Sequence, residues 1–452
     1  MKPREIAKLD RELGEYLNHF VDGLGRPERR EALRLYMTGL LLDGDRKSIA
    51  PMAGRLVDAA SEIEAMRQRL QQAVTIATWS DDEVLARLAT KLDEELPGIE
   101  AFVIDDTGFP KKGEHSVGVQ RQYSGTLGRV DNCQVAVSLH LAGEQGSGMV
   151  GFRLFLPESW VDDRSRRKRA GVPTDVRTAT KSTLVLAQLD AALAAGVRRH
   201  VVLADAGYGD SAEFREAVAQ RGLRYVVAVN GEPVVWPPGS TPRVVRKAAG
   251  SIGRPQTRHR DDKHPPVALK KLAPTLRFAR VSWREGSKGW QAGRFAAVRV
   301  RTAHRHKEGT PPGVEQWLLC QETGNPKAPY KQWLSNLPST TSITALVRFA
   351  KLRWRVERDY QELKSELGLD HFEGRTWRGF HHHATLCAVA HGFLALRRAL
   401  FPPEDGALDP ADGPQGDAAD PIAASRHLPD VPQTRRRSSS TARAVADVIK
   451  SY

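Results

Sequence analysis

The sequence predicts an α/β protein: a mixed sheet flanked by helices, interrupted by a mostly β insertion and preceded by a helical N-terminal domain. Three observations predict it. Apolar residues recur at helical spacing over residues 1–97, and the period changes to strand-like runs from about 98. A segment rich in Pro, Gly, Arg and Lys, residues 233–339, then separates these runs from a second strongly helical stretch.

Each element has its own signal. "EALRLYMTGLLLDG" and "SEIEAMRQRLQQAV" carry apolar residues three and four apart, and "SDDEVLARLATKLDEEL" opens with Ser80 and Glu83 in capping-box positions. In residues 98–232, "AFVID" reads as a buried strand ending in aspartates, while "CQVAVSLHLAG" and "GMVGFRLFLP" alternate as strands do. "ATKSTLVLAQLDAALAAGV" is a helix ending at Gly196, and "HVVLADAG" is a short apolar strand. "DSAEFREAVAQRG" is a helix with Asp210 and Glu213 as its capping box, and "RYVVAVNG" is another strand. The insertion holds β-like pieces such as "LRFARVSW", "FAAVRVR" and "EQWLLCQE". Residues 340–401 form one long helix, "SITALVRFAKLRWRVERDYQELKSELG", and then "HATLCAVAHGFLALRRAL". Residues 402–452 have the composition of a disordered basic tail.

Composition narrows the function. The 452 residues suffice for two or three domains, and 68 Lys and Arg against 54 Asp and Glu leave a formal charge of +14. A surface so basic attracts polyanions, of which DNA and RNA are the usual ones. Cys133, Cys320 and Cys387 lie far apart with no CxxC pair, which excludes a zinc ribbon or a disulfide framework and fits a reducing cytosol. The charged start, "MKPREIAKLDRELGEY", has no apolar core of a signal peptide, and no run approaches the ~20 apolar residues of a membrane span. "GFPKKG" lacks the spacing of a nucleotide-triphosphate loop. His381, His382 and His383 are consecutive, so on a helix they point in different directions and do not suit zinc. The N-terminal helices are the best-placed DNA reader, although no helix-turn-helix signature is visible.

Acidic residues carry the sharper signal. Asp105 and Asp106 follow one predicted strand and Asp205 follows another, where sheet proteins gather their chemistry. Each also reads as ordinary turn chemistry. On the later helix, Arg353, Glu357 and Lys364 fall within roughly 40° of one another at ~100° per residue. Alone, that face is equally a solvated ladder of ion pairs. Three separated carboxylates can hold two Mg²⁺ ions, which suit in-line attack at phosphorus. Lys111 and Lys112 are phosphate contacts or a solvated loop, and Arg121 lies in a Gly-rich stretch that suits a polyanion or a plain hairpin.

Four stretches together resemble a known family: "LLDGDRKSIAPMAGRL", "IDDTGFPKKGEHSVGVQRQYSGTLGRVDNCQVAVSLHLA", "LADAGYGD" and "LRWRVERDYQELKSELGLDHFEGRTWRGFHHHATL". Over most of residues 30–400 the chain resembles bacterial insertion-sequence transposases of the DDE superfamily, most closely the insertion sequence 701 family, related to the insertion sequence 4 group. The resemblance implies a ribonuclease-H-like core cut by a β insertion between its second and third acids. It puts the first acid on Asp105, with Asp106 left open as the ligand, the second on Asp205 and the third on Glu357. It implies two Mg²⁺ ions, with Mn²⁺ as substitute, and gives Arg353 and Lys364 to DNA phosphates. The tyrosine of the related group's signature is Ala350 here. An aromatic in the insertion is expected to stack on a flipped base, with Trp333 and Trp317 as candidates, though each also reads as a core residue. The implied partners are transposon-end and target DNA and a second copy of the chain, in a bacterial cytoplasm at the nucleoid. Two alternatives remain: a transposase-derived DNA-binding protein without cleavage, and a standalone ribonuclease-H-like nuclease.

Overall fold

The computed structural model describes residues 3–244, 252 and 256–400; the expected tail, 402–452, lies outside the described residues. Five helices come first: α1 (Pro3–Val21), α2 (Pro27–Leu41), α3 (Ile49–Leu56), α4 (Ile63–Gln71) and α5 (Asp81–Glu95). Ser80 caps α5 as its sequence predicts, accepting from the Glu83 amide at 3.1 Å. Next comes a meander: β1 (Ile99–Pro110), β2 (Gln120–Ser124), β3 (Arg129–Gly143) and β4 (Ser147–Leu154). Then follow α6 (Glu158–Val161), α7 (Arg164–Ala170), α8 (Lys181–Ala194), β5 (Val201–Ala204), α9 (Ala206–Gly209), α10 (Ala212–Gln220) and β6 (Tyr225–Val229). The cap of α10 differs from expectation. Ser211 accepts from Phe214 N at 3.0 Å, while Asp210 turns away to take the Asn230 amide at 2.8 Å.

The insertion contributes β7 (Val234–Trp236), β8 (Arg243–Val244), β9 (His259–Arg260), β10 (Val267–Ala268), α11 (Leu269–Leu272), β11 (Ala279–Arg284), β12 (Trp290–Thr302), β13 (Glu315–Glu322) and β14 (Tyr330–Ser335). Only β8 and β9 pair apart; the other strands extend the main sheet, because β14 pairs antiparallel with β6. The central order is β4–β3–β1–β5–β6, with β1 antiparallel to β3 and parallel to β5, and β5 parallel to β6.

The chain closes with α12 (Ile343–Leu352), α13 (Trp354–Gln361) and α14 (Trp377–Leu400). The sequence predicts one continuous helix over α12 and α13; the structure interrupts its hydrogen bonding at Arg353, which keeps helical φ and ψ, and follows α13 with a π turn, Glu362–Glu366. Alternate residues of β1 face two cores, as strand geometry requires. Phe102 and Ile104 join the core made with α1, α2, α5, α8 and α14; Ala101 and Val103 join the core made with α12, α13 and the insertion. The N-terminal helices thus share the sheet's core, and α14 is their common partner: Tyr16 donates to the Val389 carbonyl at 2.8 Å.

The three consecutive histidines of α14 are core residues. His381 and His383 are buried, His381 beside the Trp377 carbonyl (2.9 Å) and His383 between Tyr36 (2.8 Å) and the Gly368 carbonyl (2.9 Å). Burial lowers the pKa of each to about 4. Against an unfolded value near 6.5, each takes up its proton only on unfolding across that window. Stability is therefore intact above about pH 6.5 and falls as pH drops towards 4, by up to ~1.4 kcal/mol per pH unit for each histidine. Urea unfolding at stepped pH should show this slope, and His383→Gln should flatten it.

Candidate metal centre

Asp105 and Asp106 do not end their strand. β1 runs on to Pro110 against β3, with Asp105 opposite Ser138 and Asp106 opposite Val137. On its other edge β1 pairs with β5 from Ala101–Val201 to Val103–Leu203 and no further, so both acids emerge where β5 stops. Asp205 is the residue after β5, and carrying that register on by two residues sets Asp105 beside it. Asp205 caps α9, accepting from the Tyr208 amide at 3.4 Å. A Cβ at Gly209 would lie 1.9 Å from the Ala228 carbonyl, so only glycine lets α9 sit this close to β6.

Oxygens of Asp105, Asp106 and Asp205 lie within 4.8 Å of one another. The two adjacent aspartates have different cations. Asp105, on the α12–α13 face, meets Arg353 at 3.0 Å; Asp106, on the opposite face, meets Lys181 at the start of α8. Burial raises the Asp105 carboxyl above the ordinary aspartate value, against the pull of Arg353. The Tyr208 hydroxyl is buried with no hydrogen-bond partner among the described residues, near enough to Asp106 and Asp205 for them to add to its raised pKa after burial itself. An oxygen-only donor set beside an orphaned hydroxyl fits a hard, hydrated cation such as Mg²⁺ or Mn²⁺.

Glu357 stands outside this group. Its side chain is 71% exposed and reaches Asp105 only through Arg353, whose other nitrogen is 3.9 Å from Glu357. Lys364 lies on the π turn, so it does not share a straight helical face with Arg353; its ammonium donates to the Gly108 carbonyl at 3.2 Å, over the Phe109 ring. Lys111 is tied to the Phe372 carbonyl at 3.2 Å, whereas Lys112 and Arg121 are exposed. Trp333 is 8% exposed and packs between the insertion and α12, so its ring faces the core. Trp317 donates to the Pro338 carbonyl at 2.9 Å.

Sequence reasoning missed three features. Lys181 is one. A second is the hairpin tip between β11 and β12: Gly286 rests on Trp354, Lys288 is close enough to Glu357 to feel its charge, and Trp290 is 56% exposed. A third is a buried polar network behind Asp105. Ser138, its register partner, bonds His140 (2.9 Å), and His140 bonds Asp359 (2.7 Å), which also accepts from Ser147 (2.6 Å). Glu362 accepts from Arg398 (2.6 and 2.8 Å) and Arg358 (2.8 Å) and meets His391 (3.1 Å). Burial works to raise the Asp359 carboxyl, but His140, His391 and Ser147 outweigh it and hold the pKa below the usual value. Only the 3.6-residue period marks Asp359 as inward-facing, since Val356 and Leu363, three before it and four after, are buried too.

Residues 19–290 match the family model of DDE superfamily endonucleases, a span that holds Asp105, Asp106 and Asp205 and ends before Glu357. The chain is also 25% identical over 237 residues to a protein of Microchaete diplosiphon described as a probable transposase for insertion sequence element IS701. The match covers 52% of this chain and 58% of that protein's length.

Two outcomes follow from the geometry. Mn²⁺ held at 100 times its dissociation constant should stabilise the protein by ~2.7 kcal/mol, read as a rise in Tm, and Asp205→Asn should abolish the rise. Asp359→Ala strands buried His140 and should cost ~3–5 kcal/mol in urea unfolding, more than Asp359→Asn.

Proposed function

Because the chain belongs to the DDE superfamily of endonucleases, we propose that it is a DNA transposase. It binds the terminal inverted repeats of its own element, cleaves strands with divalent cations and joins the ends to target DNA, with two copies acting on DNA. The observation that carries this reading is the gathering of Asp105, Asp106 and Asp205 within 4.8 Å at the end of a parallel strand pair. The strand order β4–β3–β1–β5–β6 supports a ribonuclease-H-like core, with the insertion, residues 233–339, lying between Asp205 and Glu357. The helices of residues 1–97 are the proposed inverted-repeat reader.

Asp105, Asp205 and Glu357, with Asp106 as a further oxygen source, would hold Mg²⁺ or Mn²⁺. Bound there, such ions activate the attacking oxygen and stabilise the leaving one in an in-line displacement at phosphorus. The remaining work falls to this chain's side chains. Arg353 neutralises Asp105 before substrate arrives and offers a planar fork to a phosphate afterwards. Lys364, fixed over Phe109, keeps a positive charge beside β1. For the base-stacking aromatic, the exposed Trp290 is the better candidate than the buried Trp333.

The test is strand cleavage and strand transfer on duplexes bearing the element's ends, with Mg²⁺ or Mn²⁺. The wild type should cut and join, and Asp105→Asn and Asp205→Asn should each lose both activities while still binding DNA. Binding by a wild-type protein that never cuts would leave a DNA-binding protein; cutting without joining to supplied 3′-hydroxyl ends would leave a nuclease.

A further inference from the structure

α7 is a short helix with an unusual load. Its seven residues, RSRRKRA, include five basic ones. Two are explained by packing. Arg166 lies over the Trp160 ring at 3.9 Å and donates to the Glu114 and Val119 carbonyls at 2.7 and 3.2 Å. Arg167 donates to the Pro173 and Val176 carbonyls at 2.9 and 2.8 Å. The other three, Arg164, Lys168 and Arg169, are exposed, and their side chains have no hydrogen-bonded or ion-paired partner among the described residues. The helix dipole favours Lys168 and Arg169 in the last turn but disfavours Arg164 in the first. Of the local acids, Asp163 is occupied in capping the helix, accepting from the Arg166 amide at 2.8 Å, while Asp162 and Asp175 are exposed.

The helix is tied to the strand that carries Asp105 and Asp106 through the loop that follows it. Arg166 staples it to the loop that leaves β1, the loop that begins with Lys111 and the exposed Lys112. Trp160 reinforces the joint by donating to the Val119 carbonyl at 2.8 Å. β1 covers the four residues from Asp106 to that loop in ~14 Å, less than half a turn of B-form DNA. On its far side the chain passes the exposed Arg177 and arrives at Lys181, which holds Asp106. Exposed cations thus run along a pre-ordered helix, Arg164, Lys168 and Arg169, and continue to Arg177, which spends one nitrogen on the Thr174 carbonyl.

We propose that α7, with Arg177, is a phosphate-backbone track that grips the DNA duplex flanking the bond to be cut. The inference rests on the DNA-processing reading above and adds a surface to it. The contact is independent of sequence, because unpaired Arg and Lys on an exposed helix neutralise phosphates rather than read base edges. The anchored pair, Arg166 and Arg167, holds the helix in place before DNA arrives.

The experiment compares the full chain with its Arg164→Gln/Lys168→Gln/Arg169→Gln variant, using anisotropy of a labelled DNA duplex of arbitrary sequence across a salt series. Each phosphate contact contributes ~0.9 to the slope of log K against log salt, so the variant should lose ~2–3 units of slope and at least tenfold in affinity at low salt. Its unfolding midpoint and its Mn²⁺-induced Tm rise should match the wild type. Equal affinity and slope in the two proteins would overturn the proposal and leave the metal-centre reading intact. A loss confined to an RNA duplex of the same sequence would also overturn it. A wild type that binds no duplex at all would remove the DNA-processing reading itself.

Discussion

Mutual repulsion among three carboxylates is the constraint that the surrounding structure answers. Asp105, Asp106 and Asp205 are drawn within 4.8 Å by backbone pairing that has no regard for charge: the β1–β5 register sets two of them side by side, and covalent sequence supplies the third. At ~4 Å, two like charges cost ~1 kcal/mol in water and several times that where solvent is thinned. The protein offsets this cost from two sides. Arg353 comes from the α12–α13 junction on one face of the sheet and Lys181 from α8 on the other. Burial raises the Asp105 carboxyl, and the charges of Asp205 and Asp106 add to that rise against the pull of Arg353. Three carboxylates facing these two cations leave negative charge that a divalent ion can complete.

Holding Arg353 at Asp105 requires α13 to be fixed against the strand behind it, and the buried network does this. Asp359 and Glu362 are among the most deeply buried acids of the chain, each with hydrogen-bonding partners on other elements. Removing charge from water in this way gives little net stability, but it is unforgiving of register: a shift of one residue would strand both acids. A π turn, Glu362–Glu366, follows α13 directly and contains Glu362 itself. Lys364 lies within that turn and donates to the Gly108 carbonyl.

Local signals in the sequence were sound guides where local energetics decided the outcome. The Ser80 cap, the strands either side of the acids and the helix ending at Gly196 all follow from residue types within a few positions of each other. The misread features depend on distant partners. Helical period marks Asp359 as inward-facing, but its partner His140 is 219 residues away and no local signal names it. The break at Arg353 is invisible to a periodicity argument because both halves keep good helical spacing. Asp210 reads as a helix cap because its competitor, the Asn230 amide, arrives only when β6 is in place. Trp333 illustrates the same limit: its neighbours in sequence are polar or apolar alike, and its burial comes from α12 lying across the insertion.

The insertion's fate has the largest consequence for the site. Its strands could have folded as a separate lobe, yet β14 hydrogen-bonds to β6 along four register pairs, and Val281, Phe295 and Trp333 share a core with Ala101 and Val103 of β1. The Lys351 ammonium lies over the Trp283, Phe295 and Trp333 rings, fastening α12 to the same strands. The β11–β12 hairpin is therefore not a free arm. Its tip is propped on Trp354, next in sequence to Arg353, with Lys288 within electrostatic reach of Glu357. The hairpin tip, Arg353 and the helix that carries Glu357 are thus packed against one another.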